Sequence, residues 1–143
     1  MRGVLDGGRF DGVWSSDLER TIATARVAWG EPAVDRRLRE VDFGSLEGRG
    51  YGEIDPSFAE DFVRFRDFQV PGGESYLQFR DRIHGFVGEL SGGRHLLFVH
   101  GGVIRLLTQD LGLDRFVATG SVVVVSWSER RVLMVQEPGP VTG

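Results

Sequence analysis

The chain has 143 residues, 41% hydrophobic and 27% charged, with a formal net charge of -4. That is an ordinary globular composition which excludes disordered and fibrous classes and argues against nucleic acid or an anionic membrane as partner. The absence of cysteine excludes disulfides, thiolate nucleophiles and zinc-thiolate sites, and because every basic residue is arginine, Schiff-base chemistry on lysine is excluded too.

The length predicts one domain, residues 1–143, with a real core. No apolar run approaches the roughly 18 residues of a membrane span and no leader pattern opens the chain, so a cytoplasmic location is expected. Met1 to Leu5 reads as the end of a helix closed by Asp6-Gly7-Gly8, too short to be stable alone. The chain therefore reads as starting inside an element.

Phe10 to Ser15 reads as a short strand. Ser16-Asp17-Leu18-Glu19 has the spacing of a capping box, and the helix after it places Leu18, Ile22, Ala25 and Trp29 on one face before Gly30. Arg20 falls in the first turn, where the helix dipole disfavours a cation by a few tenths to about 1 kcal/mol. A bound anion would reverse that sign; a surface pair with Glu19 or Asp17 is the plainer alternative.

Glu31 to Arg37 reads as a loop, and Leu38 to Gly48 as a short edge-like strand with glycine turns and three carboxylates. Most such segments are solvated surface. Phosphoester cleavage, however, needs an acid at the leaving oxygen, which makes Glu40 a candidate. Asp55-Pro56 starts the next helix, whose Phe58, Phe62, Phe65 and Phe68 read as core or as the lid of a pocket. After Pro71-Gly72-Gly73-Glu74, Ser75 and Gln78 cap a helix that buries Tyr76, Phe79, Ile83, Phe86, Val87 and Leu90, with His84 exposed.

Leu96 to Val99 is an unbroken apolar run ending at His100, and Gly101-Gly102 turn the chain into a helix with Val103, Ile104, Leu107 and Leu111 on one face. This is a buried parallel strand feeding a helix. Ligands in open α/β sheets sit beyond the carboxyl ends of such strands, and the free amides of the next helix favour anions. His100 thus stands where phosphate chemistry could occur, or merely caps a strand. Ser121 to Trp127 and Val132 to Gln136 read as a hairpin, and 137–143 as a loose tail. The alternation predicts a three-layer α/β sandwich with a mixed, mostly parallel sheet and one antiparallel strand.

Ser15-Ser16-Asp17-Leu18-Glu19-Arg20-Thr21, Leu38-Arg39-Glu40 with Phe43-Gly44 and Glu47-Gly48, Pro71-Gly72-Gly73-Glu74-Ser75 and Val99-His100-Gly101-Gly102 follow one another in the order and spacing of the histidine phosphatase superfamily. The chain resembles this phosphoglycerate-mutase-like family from about Asp11 to about Trp127. The resemblance implies that His100 lies beside the transferring phosphoryl group, that Arg20 and the amide at Gly101 hold its oxygens, and that Glu40 protonates the departing alkoxide. It implies a small phosphorylated metabolite as substrate, a phosphohistidine intermediate, and neither cofactor nor metal.

One departure stands out. Family members begin with a strand ending in Arg-His-Gly, whose histidine is the nucleophile, and this sequence has no such strand. Arg94-His95 lies at the start of the strand ending at His100, roughly 16 Å from the crevice at about 3.3 Å per residue. In the family the first strand is interior to the sheet, and each backbone group left unpaired by its loss costs on the order of 1 to 3 kcal/mol. The expectation is therefore an N-terminally truncated chain with impaired phosphatase activity. The alternatives are a non-catalytic phosphate-binding or regulatory remnant, a phosphoglycerate mutase, and an unrelated flavodoxin-like nucleotide binder. The shortness of Arg49 to Val70 leans towards phosphatase over mutase.

Overall fold

The structure, a computed structural model, describes Leu5, residues 8–47 and residues 55–139. The expected N-terminal helix end before Leu5, the turn at Asp6-Gly7, Gly48 of the Glu47-Gly48 pair and positions 140–143 of the expected tail lie outside the described residues.

Three parallel strands form the first ladder, in the order β2 (Ala33–Val34), β1 (Gly12–Ser15) and β3 (His95–Phe98). Trp14 stands opposite Ala33 on one side and Leu97 on the other. Alternation along the strands then sorts side chains between the two faces. Val13, Leu96 and Phe98 pack with Leu5 and with Ala25 of helix α1 (Glu19–Ala28). Trp14 points the other way and meets Phe86 of helix α3 (Tyr76–Glu89), edge to face at 5.4 Å. On that second face, α3 and α4 (Gly101–Thr108) bury Phe79, Ile83, Val103 and Leu106 against Phe65, Phe68 and Val70. Helix, sheet, helix: the α/β sandwich is three layers deep.

Strands β4 (Val122–Ser126) and β5 (Arg131–Gln136) form the expected antiparallel hairpin, with an irregularity between Val124 and Val125. They do not join the first ladder. A crevice of about 1810 Å³ separates the two, lined by Leu96 to Val99 on one side and by Val122, Val123 and Val125 on the other. The mixed strand set is thus two ladders, and one edge of β3 and one of β4 face this space.

Local signals agree with the structure where a side chain satisfies a helix end. Asp55 accepts from the Ser57 amide with Pro56 at the first helical position of α2 (Pro56–Arg64), and Ser75 and Gln78 form a reciprocal capping box. Four expectations are corrected. First, Ser16-Glu19 is not a capping box: α1 begins at Glu19 with Leu18 as an N-cap lacking a side-chain bond, and the buried positions are Thr21 and Ala25, whereas Leu18 and Trp29 are 40% and 39% exposed. Second, the strand lies at Ala33–Val34, inside the expected loop, while residues 38–47 make none. There the backbone is satisfied by side chains, the Asp42 amide donating to Glu74 and the Gly44 amide to Asp42, so no ladder is needed.

Third, His84 is half-buried against Trp127, with ring centroids 5.9 Å apart, and burial lowers its pKa. Fourth, α4 buries Gly102, Val103, Arg105, Leu106 and Thr108, while Ile104 and Leu107 line the crevice. The helix is apolar on two sides because it separates the core from that space. The four phenylalanines expected on one helix divide as well: α2 ends at Arg64, Phe65 and Phe68 lie past it in the core, and Phe58 and Phe62 on it are only partly buried. Phe65 takes a left-handed conformation, φ 54°, which turns the chain inward after α2.

The α1 correction is testable by urea denaturation. Ala25→Leu should cost about 1–3 kcal/mol by overpacking, while Leu18→Ala should stay within about 0.5 kcal/mol.

Candidate active site

Glu40 follows a short 3₁₀ turn (Arg36–Leu38) that Asp35 caps by accepting from the Arg37 amide. Its Oε2 accepts from the Gly102 amide at 2.8 Å, in the first turn of α4, and its Oε1 accepts from the Val41 amide at 3.1 Å. A Cβ on Gly102 would collide with this carboxylate, so the second glycine of the Gly101-Gly102 pair is required by close approach. Burial raises the Glu40 pKa, opposed by the two amide bonds and by the Arg82 charge. Desolvation outweighs them, and the carboxyl retains its proton to a higher pH than an exposed glutamate.

The segment bearing Glu40 is held from behind by Arg82 of α3. Its Nη1 donates to the carbonyls of Arg37 and Arg39 at 2.8 and 2.7 Å, and its Nη2 to the Glu40 carbonyl at 3.2 Å. The same guanidinium grips Glu74 through two bonds of 2.9 and 2.7 Å, and Glu74 in turn accepts from the Asp42 amide. One fork and one carboxylate therefore fix the backbone from 37 to 42.

His100 ends β3 and stands at the N-cap position of α4. Its Nε2 lies 2.8 Å from the Ser16 hydroxyl, which is wholly buried at the end of β1. Burial lowers the His100 pKa first, and the Arg20 and Arg82 charges add to this, so the imidazole is neutral at pH 7. Arg20 lies in the first turn of α1, exposed. Neither expected surface partner takes it: Asp17 is held by Arg39 at 2.7 Å, and no described carboxylate pairs with Arg20. Arg20, Glu40, His100 and Gly101 all line the one crevice.

Sequence reasoning missed Ser16 and Arg82. The serine was legible only as a helix cap, because its partner lies 84 residues away. Arg82 had one usable signal, a cation beside the buried position Ile83 and one turn from buried Phe79, over whose ring its guanidinium lies at 5.0 Å. Among the described residues, no three His, Asp or Glu side chains converge as a metal-binding set.

The sequence profile of the histidine phosphatase superfamily (branch 1) matches residues 2–136. A Salmonella paratyphi B protein named as a probable phosphoglycerate mutase is 36% identical, over 82% of this chain and 56% of that protein. The chain thus spans little more than half the length of the curated relatives it matches. Among solved structures, a phosphoglycerate mutase from Thermus thermophilus is 38% identical with a TM-score of 0.86, covering 96% of this chain and 80% of that one. A candidate alpha-ribazole-5'-P phosphatase from Escherichia coli K-12, 19% identical with a TM-score of 0.63 over 95% of this chain and 76% of that one, shares the fold.

Gly102→Ala should force Glu40 off the α4 amide and cost about 1–3 kcal/mol in urea denaturation. A second expectation concerns acid. Because the folded His100 binds its proton less readily than the unfolded one, its effect on stability is nil above about pH 6.5 and grows more unfavourable as pH falls from there towards the lowered folded pKa. Stability curves of the wild type and His100→Asn should therefore converge in slope above that pH and diverge below it, the variant losing less.

Proposed function

This chain belongs to branch 1 of the histidine phosphatase superfamily, and from that premise we propose that its crevice takes the phosphoryl group of a small phosphomonoester. The reaction proposed is hydrolysis through a phosphohistidine. An imidazole nitrogen bonds to phosphorus as the bond to the alcohol oxygen breaks, and the Glu40 proton goes to that oxygen. Water then attacks phosphorus, the P–N bond breaks, and a water proton returns to Glu40.

The observation that carries this reading is the convergence on one crevice of Glu40, an arginine with no carboxylate partner among the described residues, and His100, with burial raising the pKa of the first and lowering that of the last. Arg20 and the Gly101 amide at the start of α4 supply positive charge and a donor for the phosphoryl oxygens, while His100, steadied by Ser16, lies beside the transferring group. Glu40 is suited to the acid role because desolvation keeps its proton available.

A second reading is phosphate binding without turnover. It is favoured by the lack of an Arg-His-Gly motif in the sequence and by where the other two histidines stand. His95 is at the opposite end of β3, bonded to the Ser91 carbonyl and to Trp14, and His84 lies against Trp127. A mutase activity draws support only from the names of relatives.

Incubation with ³²P-labelled acetyl phosphate separates the first two readings: acid-labile label on a histidine supports turnover, and phosphate binding without label supports the second. In both, Arg20→Ala should weaken binding of inorganic phosphate by on the order of 10- to 100-fold by calorimetry, the loss of one charge-assisted contact. Unchanged affinity removes Arg20 from the site and the phosphoryl reading with it.

A further inference from the structure

We propose that Ser16 is a positioning residue for His100: its hydroxyl donates to Nε2 and thereby fixes the imidazole proton on Nδ1, the nitrogen left to meet a ligand in the crevice. The inference rests on the phosphoryl reading of the site and adds to it which nitrogen of His100 acts, and in what sense.

Ser16 is wholly buried just past the end of β1, and its Oγ lies 2.8 Å from His100 Nε2. Its backbone is engaged elsewhere, the amide donating to the Phe98 carbonyl and the carbonyl accepting from the Ser15 hydroxyl. Among the described residues, the Ser16 hydroxyl has no partner except His100. A hydroxyl carries one proton, and a neutral imidazole has one protonated and one bare nitrogen, so the contact has two possible senses. If Nε2–H donated to Oγ, the serine proton would be left buried without an acceptor. If Oγ–H donates to Nε2, no group is orphaned. The cost of a buried, unpaired donor disfavours the first sense by on the order of tenfold or more.

The ring proton is then on Nδ1. That nitrogen has no partner among the described residues and makes no cap bond to α4, although His100 stands at the N-cap of that helix and lines the crevice. With the lone pair of Nε2 committed to Ser16, His100 offers the crevice a proton and not a nucleophile. Nδ1–H is a donor for a phosphoryl oxygen, alongside Arg20 and the Gly101 amide. Burial, with the Arg20 and Arg82 charges, opposes the second ring proton that would erase the distinction.

His95 supplies an internal contrast. Its Nδ1 accepts from the Trp14 indole at 3.4 Å, a group that only donates, and its Nε2 lies 2.9 Å from the Ser91 carbonyl, which only accepts. His95 is therefore held in the opposite form, protonated on Nε2.

The test is the ¹⁵N spectrum of the imidazole nitrogens at about pH 8, above the ordinary histidine range, with the His100 signals identified by their loss in His100→Asn. In the unchanged protein His100 should show a protonated Nδ1 and a bare Nε2, with His95 the reverse. Inorganic phosphate should shift the His100 Nδ1 signal more than that of Nε2. Ser16→Ala should abolish the Nδ1–H preference, a change of on the order of tenfold in the ratio of the two forms.

A His100 protonated mainly on Nε2 in the unchanged protein, or an unaltered ratio in Ser16→Ala, overturns the role of Ser16 and leaves the phosphoryl reading standing. The signals of the unchanged protein decide the tautomer by themselves, whatever Ser16→Ala does to folding. Arg20-dependent binding of phosphate with no shift at Nδ1 overturns the donor role of His100. Failure of phosphate to bind overturns the phosphoryl reading and that donor role together, while the nitrogen signals still decide for or against Ser16.

Discussion

The contact on which the rest of the site depends is the Glu40 carboxylate against the Gly102 amide. It joins positions 62 residues apart in sequence, and it does so at the start of a helix, where the amide has no intrahelical partner. A carboxylate there satisfies that donor and sits favourably on the helix dipole, while burial makes its ionised form costly. These opposing demands leave Glu40 anchored while burial moves its pKa upward. The same contact brings the turn-rich segment of the chain alongside His100, and a glycine at 102 is the condition for it.

Behind this contact is a scaffold of ion pairs that do more for geometry than for stability. Arg82 and Glu74 are largely buried, and desolvation offsets much of their attraction. What they supply is a fixed backbone from Arg37 to Asp42, a stretch with no sheet ladder to hold it. Arg39 on Asp17 ties the same stretch to the start of α1. Arg20 lines the crevice with no carboxylate partner among the described residues, which leaves it open to an anion.

Much of the fold was legible because its signals are local. Asp55-Pro56, the Ser75 and Gln78 box, the apolar run into His100 and the valine-rich hairpin each announce an element within a few residues. The crevice residues Arg20, Glu40 and His100 could be named for the same reason, once their motifs were read in order. Ser16, β2 and Arg82 were not legible, and in each case a distant partner decides the outcome. Ser16 has the right spacing for a cap but lies against His100; two exposed residues become a strand because β1 lies beside them; and residues 38–47, which read as a short edge-like strand with glycine turns, find side-chain acceptors instead.

The reversal of backbone handedness at Phe65 has a consequence for how this surface can change over generations. It drops the Phe65 ring and that of Phe68, both past the end of α2, into the interior, while Phe58 and Phe62 on the helix itself are only partly covered. The helix and the turn that follows it thereby carry separate tasks. Drift at the outer pair can remodel this surface while the inner pair keeps the domain folded.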